Sequence, residues 1–309
     1  MKKLLIIFLL IIFGQALFAQ NSVNVSNELS IQATSNIEAM LGFTSRIRFP
    51  AMQGSSLLTR DNNITLEIGA EVAPISAGIK PNLIITPIAF LELNAGGYIG
   101  SGWNLSIFDD DIYGIGFNRP TVFSGSRYSG SAFDGIHYRG FGGVALQADL
   151  AALLPGAWNH VVFRTYHEMS YRGYSRADHA QQSWYYLNNG ENRNSFYYLG
   201  NYILGYQMPI FLSMIAFVAE AERDLYLDGA PTPDLWGYDI FYWVYSAMLN
   251  FSVTRQFDIA LIAQFHTQKN YVGPSSVWEE QFYQFRVVNN SNPTSLEFHR
   301  IVLSLSFKF

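Results

Sequence analysis

The chain has 309 residues, of which 49% are hydrophobic and only 14% are Asp, Glu, Lys or Arg, and it carries a net charge of −5. Past residue 19 no unbroken apolar run approaches the ~20 residues of a spanning helix, which excludes a polytopic helical membrane protein; the acidic balance argues against nucleic acid as a partner. Cysteine is absent, so there is no disulfide framework, no thiolate metal site and no Cys nucleophile. With 19 Tyr, 24 Phe and 25 Gly, the composition suits strands, turns and membrane interfaces.

Residues 1–19 read as a secretory signal peptide: Lys2 and Lys3 form the basic end, Leu4 to Phe13 the apolar stretch, and Leu17-Phe18-Ala19 a cleavage site before Gln20. Residues 20–36 are a periplasmic lead-in or an extra strand, and a barrel spans 37–309. From Ile37 onward, period-two alternation recurs in segments of about a dozen residues, the signature of a transmembrane antiparallel up-and-down β-barrel. In Ile37 to Phe49 the odd positions include Ile37, Leu41, Phe43, Ile47 and Phe49, while Glu38, Thr44, Arg46 and Arg48 occupy the even ones. Further apolar faces start at Ile64, Leu83, Val144, Val161, Phe196, Ile215, Phe241, Phe257 and Ile301. The second of these runs from Leu83 through Ala89 to Leu93 as one strand. About ten strands result, with twelve as the alternative.

On the opposite face fall Glu38, Arg46, Arg48, Glu67, Glu71, Glu92, Arg139, Asp149, Arg164, Glu168, Arg172, Glu220, Glu222, Asp224, Asp258, His266, Arg300 and Lys308. These are the predicted lumen-lining residues. Only Arg223, Asp239, Lys269 and Glu297 fall on the lipid face, each near the outer end of a strand, where charge is tolerated. Short turns are predicted at 78–82, 155–158, around Pro209 and at 254–256, and long loops at 50–62, 100–137, 173–194, 227–237 and 270–295. Short periplasmic turns and long outer loops put both termini in the periplasm. Trp103, Trp184, Trp236, Trp243 and Trp278 then mark the outer side and Trp158 the inner rim.

The last strand, Phe298 to Phe309, alternates apolar residues and ends in a C-terminal Phe. In this the chain resembles the integral outer-membrane β-barrel proteins of diderm bacteria. The resemblance implies that Phe307 and Phe309 belong to an assembly signal read by the barrel-assembly machinery. It also implies outer-membrane lipid and lipopolysaccharide as surroundings. Gly100-Ser101-Gly102-Trp103-Asn104 and Tyr166-His167-Glu168-Met169-Ser170-Tyr171 are similar to segments of uncharacterised spirochaete outer-membrane proteins, which carry no activity across.

Ten strands spaced ~4.8 Å apart and tilted ~40° close at a backbone radius of about 10 Å, which inward side chains largely fill. The inward Arg and Glu residues then satisfy one another in pairs, and a slight excess of acids makes any narrow pore favour cations. The other readings are a surface hydrolase and a loop-mediated adhesin. Outer-membrane phospholipases and lipid deacylases place His and Ser two residues apart on one strand face. Here His167 and Ser170 are three apart and point oppositely unless a bulge intervenes. Omptin proteases use rim Asp and Asp-His pairs; Asp109-Asp110-Asp111 and Asp178-His179 match that only in composition. The Asp cluster offers hard oxygen ligands for Ca²⁺ and equally reads as a solvated loop tip. The histidines lack metal-ligand spacing. No cofactor and no metal is expected.

Overall fold

The computed structural model describes residues 23–107, 110–118, 128–129, 131–177, 184–187, 189–225, 237, 239–272 and 287–309. The predicted signal peptide, Asp109, Asp178-His179, Trp236 and Trp278 lie outside the described residues. Twelve strands form a closed antiparallel barrel in sequence order: β1 (Asn24–Thr34), β2 (Ala39–Pro50), β3 (Asn63–Ala73), β4 (Ser76–Ile88), β5 (Leu91–Gly102), β6 (His137–Asp149), β7 (His160–Tyr174), β8 (Ser195–Gln207), β9 (Leu212–Asp224), β10 (Tyr242–Ser252), β11 (Phe257–Lys269) and β12 (Thr294–Lys308). Among the described residues no helix is long and apolar enough to cross a membrane.

The count is therefore the alternative twelve rather than ten, for two local reasons. Residues 24–34 are not a lead-in: β1 pairs with β2 from Asn24↔Arg48 to Ala33↔Ala39 and with β12 from Glu28↔Lys308 to Thr34↔Val302. Two further bonds tie Asn27 to Phe309, N–H to O at 2.9 Å and back at 3.0 Å. The run from Leu83 to Leu93 is two strands, broken at Ala89-Phe90, where the Ala89 N–H leaves the sheet for the Leu58 carbonyl at 2.8 Å.

The turn predicted at 78–82 is instead the middle of β4. Gly78, Pro81 and Asn82 carry turn chemistry, but Pro81 costs only one ladder bond. Pairing with β5 lapses at Lys80 and Pro81 and resumes at Asn82↔Gly96. The true reversal is Pro74-Ile75, held by the Trp103 N–H on the Ile75 carbonyl at 2.9 Å.

An extra strand at the start reverses the direction expected for the next two, so loop 51–62 lies at the end that holds both termini. That end also carries the connections 89–90, 150–159, 208–211 and 253–256. The opposite end carries the short connections 35–38 and 74–75 and the long ones 103–136, 175–194, 225–241 and 270–293.

The outside of the barrel is apolar along its length: Leu29, Ile31, Leu41, Phe43, Ile68, Val72, Ile99, Leu146, Phe163, Leu204, Phe217, Leu261, Phe265, Leu303 and Phe307 are all exposed. A face of this composition fits lipid and not water, and the barrel is transmembrane in architecture. One inward/outward assignment changes. A register shift between Gln264/Phe265 and Arg300/Phe298 inserts His299, so Glu297 pairs with His266 and faces inward rather than toward lipid. Asp239 lies outside the strands. Arg223 stays outward.

Leu261, flanked by Leu249 and Leu303, sits in the middle of this belt. Leu261→Arg should destabilise the folded barrel by ~2–4 kcal/mol, while Ala260→Ser, on the inner face, should change it little. Reversible urea unfolding in lipid vesicles measures both, and equal effects would refute the facing.

Candidate functional site

Twelve strands at the same spacing and tilt close at a backbone radius of roughly 12 Å, between the filled eight-stranded barrels and the open channels of large porins. The inward face is polar and its charges meet between strands, some adjacent and some one strand apart. On the β1–β4 wall, Arg46 donates from Nε to Glu67 at 2.6 Å and from Nη1 to Glu28 at 3.2 Å, and Lys80 meets Glu71 at 2.6 Å. Across the β12 seam, Arg300 pairs with Glu38 and donates to Gln264 at 2.8 Å, and Lys308 pairs with Asp258 at 2.6 Å. Ser252 adds a bond to Asp258 at 2.7 Å.

The β5–β9 wall is a continuous ladder. Near the termini end Arg164 meets Glu92 at 3.0 Å. Next, Glu168 accepts from Arg139 and, at 2.7 Å, from the Tyr166 hydroxyl. Arg172 grips Glu222 with two bonds of 3.0 and 2.9 Å, its guanidinium lying 4.2 Å from the centre of the Tyr197 ring. At the top Arg193, completely buried, meets Asp224 at 3.1 Å, and Ser195 donates to Asp224 at 2.8 Å. Each link costs desolvation that only its partner offsets, and Arg164–Glu92 and Arg172–Glu222 each reach across one intervening strand.

The remaining predicted lumen residues are placed as follows. Asp149 lies 2.7 Å from the His160 Nδ1 near the termini end. Glu220 accepts from the Asn201 amide at 3.1 Å and has no ion pair among the described residues. Arg48 lies at the rim of the termini end and donates to the Asp61 carbonyl at 3.0 Å. His266 lies 2.9 Å, through Nδ1, from the Tyr242 hydroxyl and stacks on His299 with ring centres 4.3 Å apart. Among the described residues no group of three or more potential metal ligands occurs.

Sequence reasoning missed what fills the upper lumen. Described residues of loops 103–136 and 175–194 form a small sheet in which Trp184–Tyr186 pairs with Ile115–Asn118 and Asn189–Asn192. Its centre is Ile115, Tyr174 and Trp184, none of them accessible, so Trp184 is a core residue rather than part of a membrane belt. Asn194 organises it. Its side-chain oxygen accepts from the Tyr174 N–H at 2.7 Å and the Trp184 indole at 3.0 Å, and its amide donates to the carbonyls of Tyr174 and Ala177.

From this sheet Tyr186 reaches the barrel wall: its hydroxyl lies 2.5 Å from that of Tyr98 on β5, and its ring packs on His137. Burial pushes the Tyr186 phenol up, so it stays neutral and bonded. A lone Asn in a Gly-, Asn- and Tyr-rich loop gives no signal of this in sequence.

His167 and Ser170 are not a catalytic pair. Ser170 points into the lumen, 2% exposed, while His167 points outward with Nδ1 2.7 Å from the Tyr198 hydroxyl. The ladder between β7 and β8 runs without a bulge from His160 to Arg172, so nothing brings the two onto one face.

The fold and this interior define a class: a transmembrane β-barrel with a charge-paired lumen narrowed from one end by its own loops. No family model matches the chain, and no curated protein matches it. Among solved structures it is similar to the KdgM porin, at 11% identity and a TM-score of 0.38 over 92% of this chain and 99% of that one. The NanC porin aligns at 8% identity and a TM-score of 0.39, over 93% and 100%. CdiB from Acinetobacter baumannii aligns at 8% and 0.34, over 94% and 61%. These likenesses are distant, and the functional reading rests on the barrel itself.

With Ser170 and His167 on opposite faces of β7, purified protein should hydrolyse neither phospholipid nor lipopolysaccharide, with or without Ca²⁺, in any way that His167→Ala or Ser170→Ala abolishes. Activity lost in both variants, with heat-modifiable folding intact, would reverse this conclusion.

Proposed function

We propose that the protein is an outer-membrane barrel, both termini periplasmic, that acts as a narrow pore with a modest preference for cations. The observation that carries it is the unequal pairing of the lumen. Arginines and lysines along both walls are matched by carboxylates, while Glu220 and Glu297 have no ion pair among the described residues. Opposing them, Arg48 at the rim donates to a carbonyl and has no ion pair among the described residues. Uncompensated carboxylates in a narrow, low-dielectric passage concentrate cations. Tyr186 and its sheet set the width at the loop end.

The outer membrane is supported by the apolar belt, by the predicted signal sequence and by the four longest connections, 103–136, 175–194, 225–241 and 270–293, which all lie at the end away from the termini. The likeness of segments 100–104 and 166–171 to spirochaete-type proteins is the sequence tie to a bacterial group. The surrounding partners are outer-membrane lipid and lipopolysaccharide, and the barrel-assembly machinery reads Phe307 and Phe309. The support for the last point is the seam: Phe309 makes two backbone bonds to Asn27 as the strand that closes the barrel arrives.

Refolded protein in planar bilayers under a salt gradient should show small discrete steps and a cation-selective reversal potential. Glu220→Gln combined with Glu297→Gln should move that potential toward zero, and Tyr186→Ala should enlarge the steps. A silent protein would refute the pore. Deleting Phe309 should lower the amount of heat-modifiable, membrane-inserted protein in cells; undiminished insertion would remove the assembly role.

A further inference from the structure

The lipid-facing wall of β7–β10 departs from the rest of the belt at its loop end. Instead of Leu, Ile and Val it presents His167, Tyr171, Phe196, Tyr198, Tyr202, Phe241 and Trp243, with ring centres 5.1 to 6.3 Å apart through much of the group. Arg223 stands among them, one residue from the end of β9. It is directly across the ladder from Tyr198, and its guanidinium carbon lies 5.4 Å from the centre of the Phe241 ring.

The inward arginines of β6 and β7, Arg139, Arg164 and Arg172, each have a carboxylate. Arg223 has none among the described residues, and its Nε is buried without a hydrogen-bond partner. The ring quadrupole of Phe241 steadies the cation but leaves the outer fork of the guanidinium uncommitted. Across the ladder from it stands Tyr198, whose hydroxyl lies 2.7 Å from the His167 imidazole one same-face position nearer mid-strand.

A guanidinium held on the lipid face at the interface is stabilised by an anion at headgroup depth, and its planar fork matches the oxygens of a phosphate. We infer that Arg223, with Tyr198 and His167, forms a site on the outer wall for the phosphate of an outer-leaflet phosphoglycolipid of the lipid A type. The glycolipid is favoured over a phospholipid because the Tyr198 hydroxyl and the His167 imidazole stand on the same wall next to the cation's rung, as a sugar carries hydroxyls next to its phosphate. The site's depth rests on the outer-membrane orientation proposed above, but it is independent of conduction, since none of its residues faces the lumen.

The test uses full-length protein, refolded in detergent, mixed with phosphorylated lipid A and read by native mass spectrometry for bound lipid. Wild type should retain it. Arg223→Gln should retain about ten-fold less, Arg223→Lys an intermediate amount because charge survives without the fork, and Tyr198→Phe slightly less than wild type. Arg255→Gln, on the exposed turn at the opposite end, should not differ from wild type. Dephosphorylated lipid A should bind wild type no better than Arg223→Gln binds the phosphorylated form.

Equal retention by wild type and Arg223→Gln, or indifference to the phosphates, would overturn the site, and equal competition by phosphatidylglycerol would overturn its assignment to a glycolipid. Bilayer recordings on the same samples separate the two proposals: conduction without lipid retention removes only the lipid site, and retention without conduction removes only the pore.

Discussion

Closure is the constraint on which the rest of this structure depends. In hydrocarbon no water satisfies a stray N–H or C=O, so a sheet that spans a membrane must pair its first strand with its last. Here that seam is β1 against β12, with the Asn27 and Phe309 backbones completing it at the rim. Once the N-terminal segment serves as a wall strand, the barrel widens to twelve strands. Loop 51–62 moves to the termini end, and the lumen gains the room that its charges and inserted loops occupy.

The interior follows from that width. A narrower barrel would pack its inward side chains against one another and leave space for few charges. At roughly 12 Å of backbone radius the wall carries Arg46 between Glu28 and Glu67, Arg172 on Glu222 and Arg193 on Asp224, each salt bridge joining different strands or a strand to its loop. The pairs therefore do two things at once: they neutralise charge in a low-dielectric space and they pin strand register. The loop sheet around Trp184 uses the remaining volume at one end. It is a small hydrophobic core, organised by Asn194, inside a lumen that is otherwise polar.

The outer wall shows the complementary economy. Where the strands of β7–β10 reach the interface, aromatic rings replace aliphatic ones and the lipid face admits a cation, Arg223, that would be prohibitive at mid-bilayer. Charge is thus graded by depth outside the barrel and by partner inside it.

Alternation was legible because a strand's side chains have a period of two, and lipid on one side with polar groups on the other stamps that period onto sequence. The sequence by itself determined the class of fold, the apolar faces of β2, β3 and β6–β12, and the three-residue spacing that separates His167 from Ser170. It left β1 open between a lead-in and an extra strand, because Asn27 interrupts the apolar alternation from Val25 to Ala33. Nor did it reveal the break at Ala89-Phe90, since both neighbours continue the apolar pattern, or the strand passing through Gly78 and Pro81. Glu297 misled because one inserted residue, His299, reverses parity. The partners of each lumen charge, the burial of Trp184 and the contact of Tyr186 with Tyr98 were decided only by tertiary structure. They depend on the register between strands and on where a long loop folds back, and neither leaves a periodic trace in the chain.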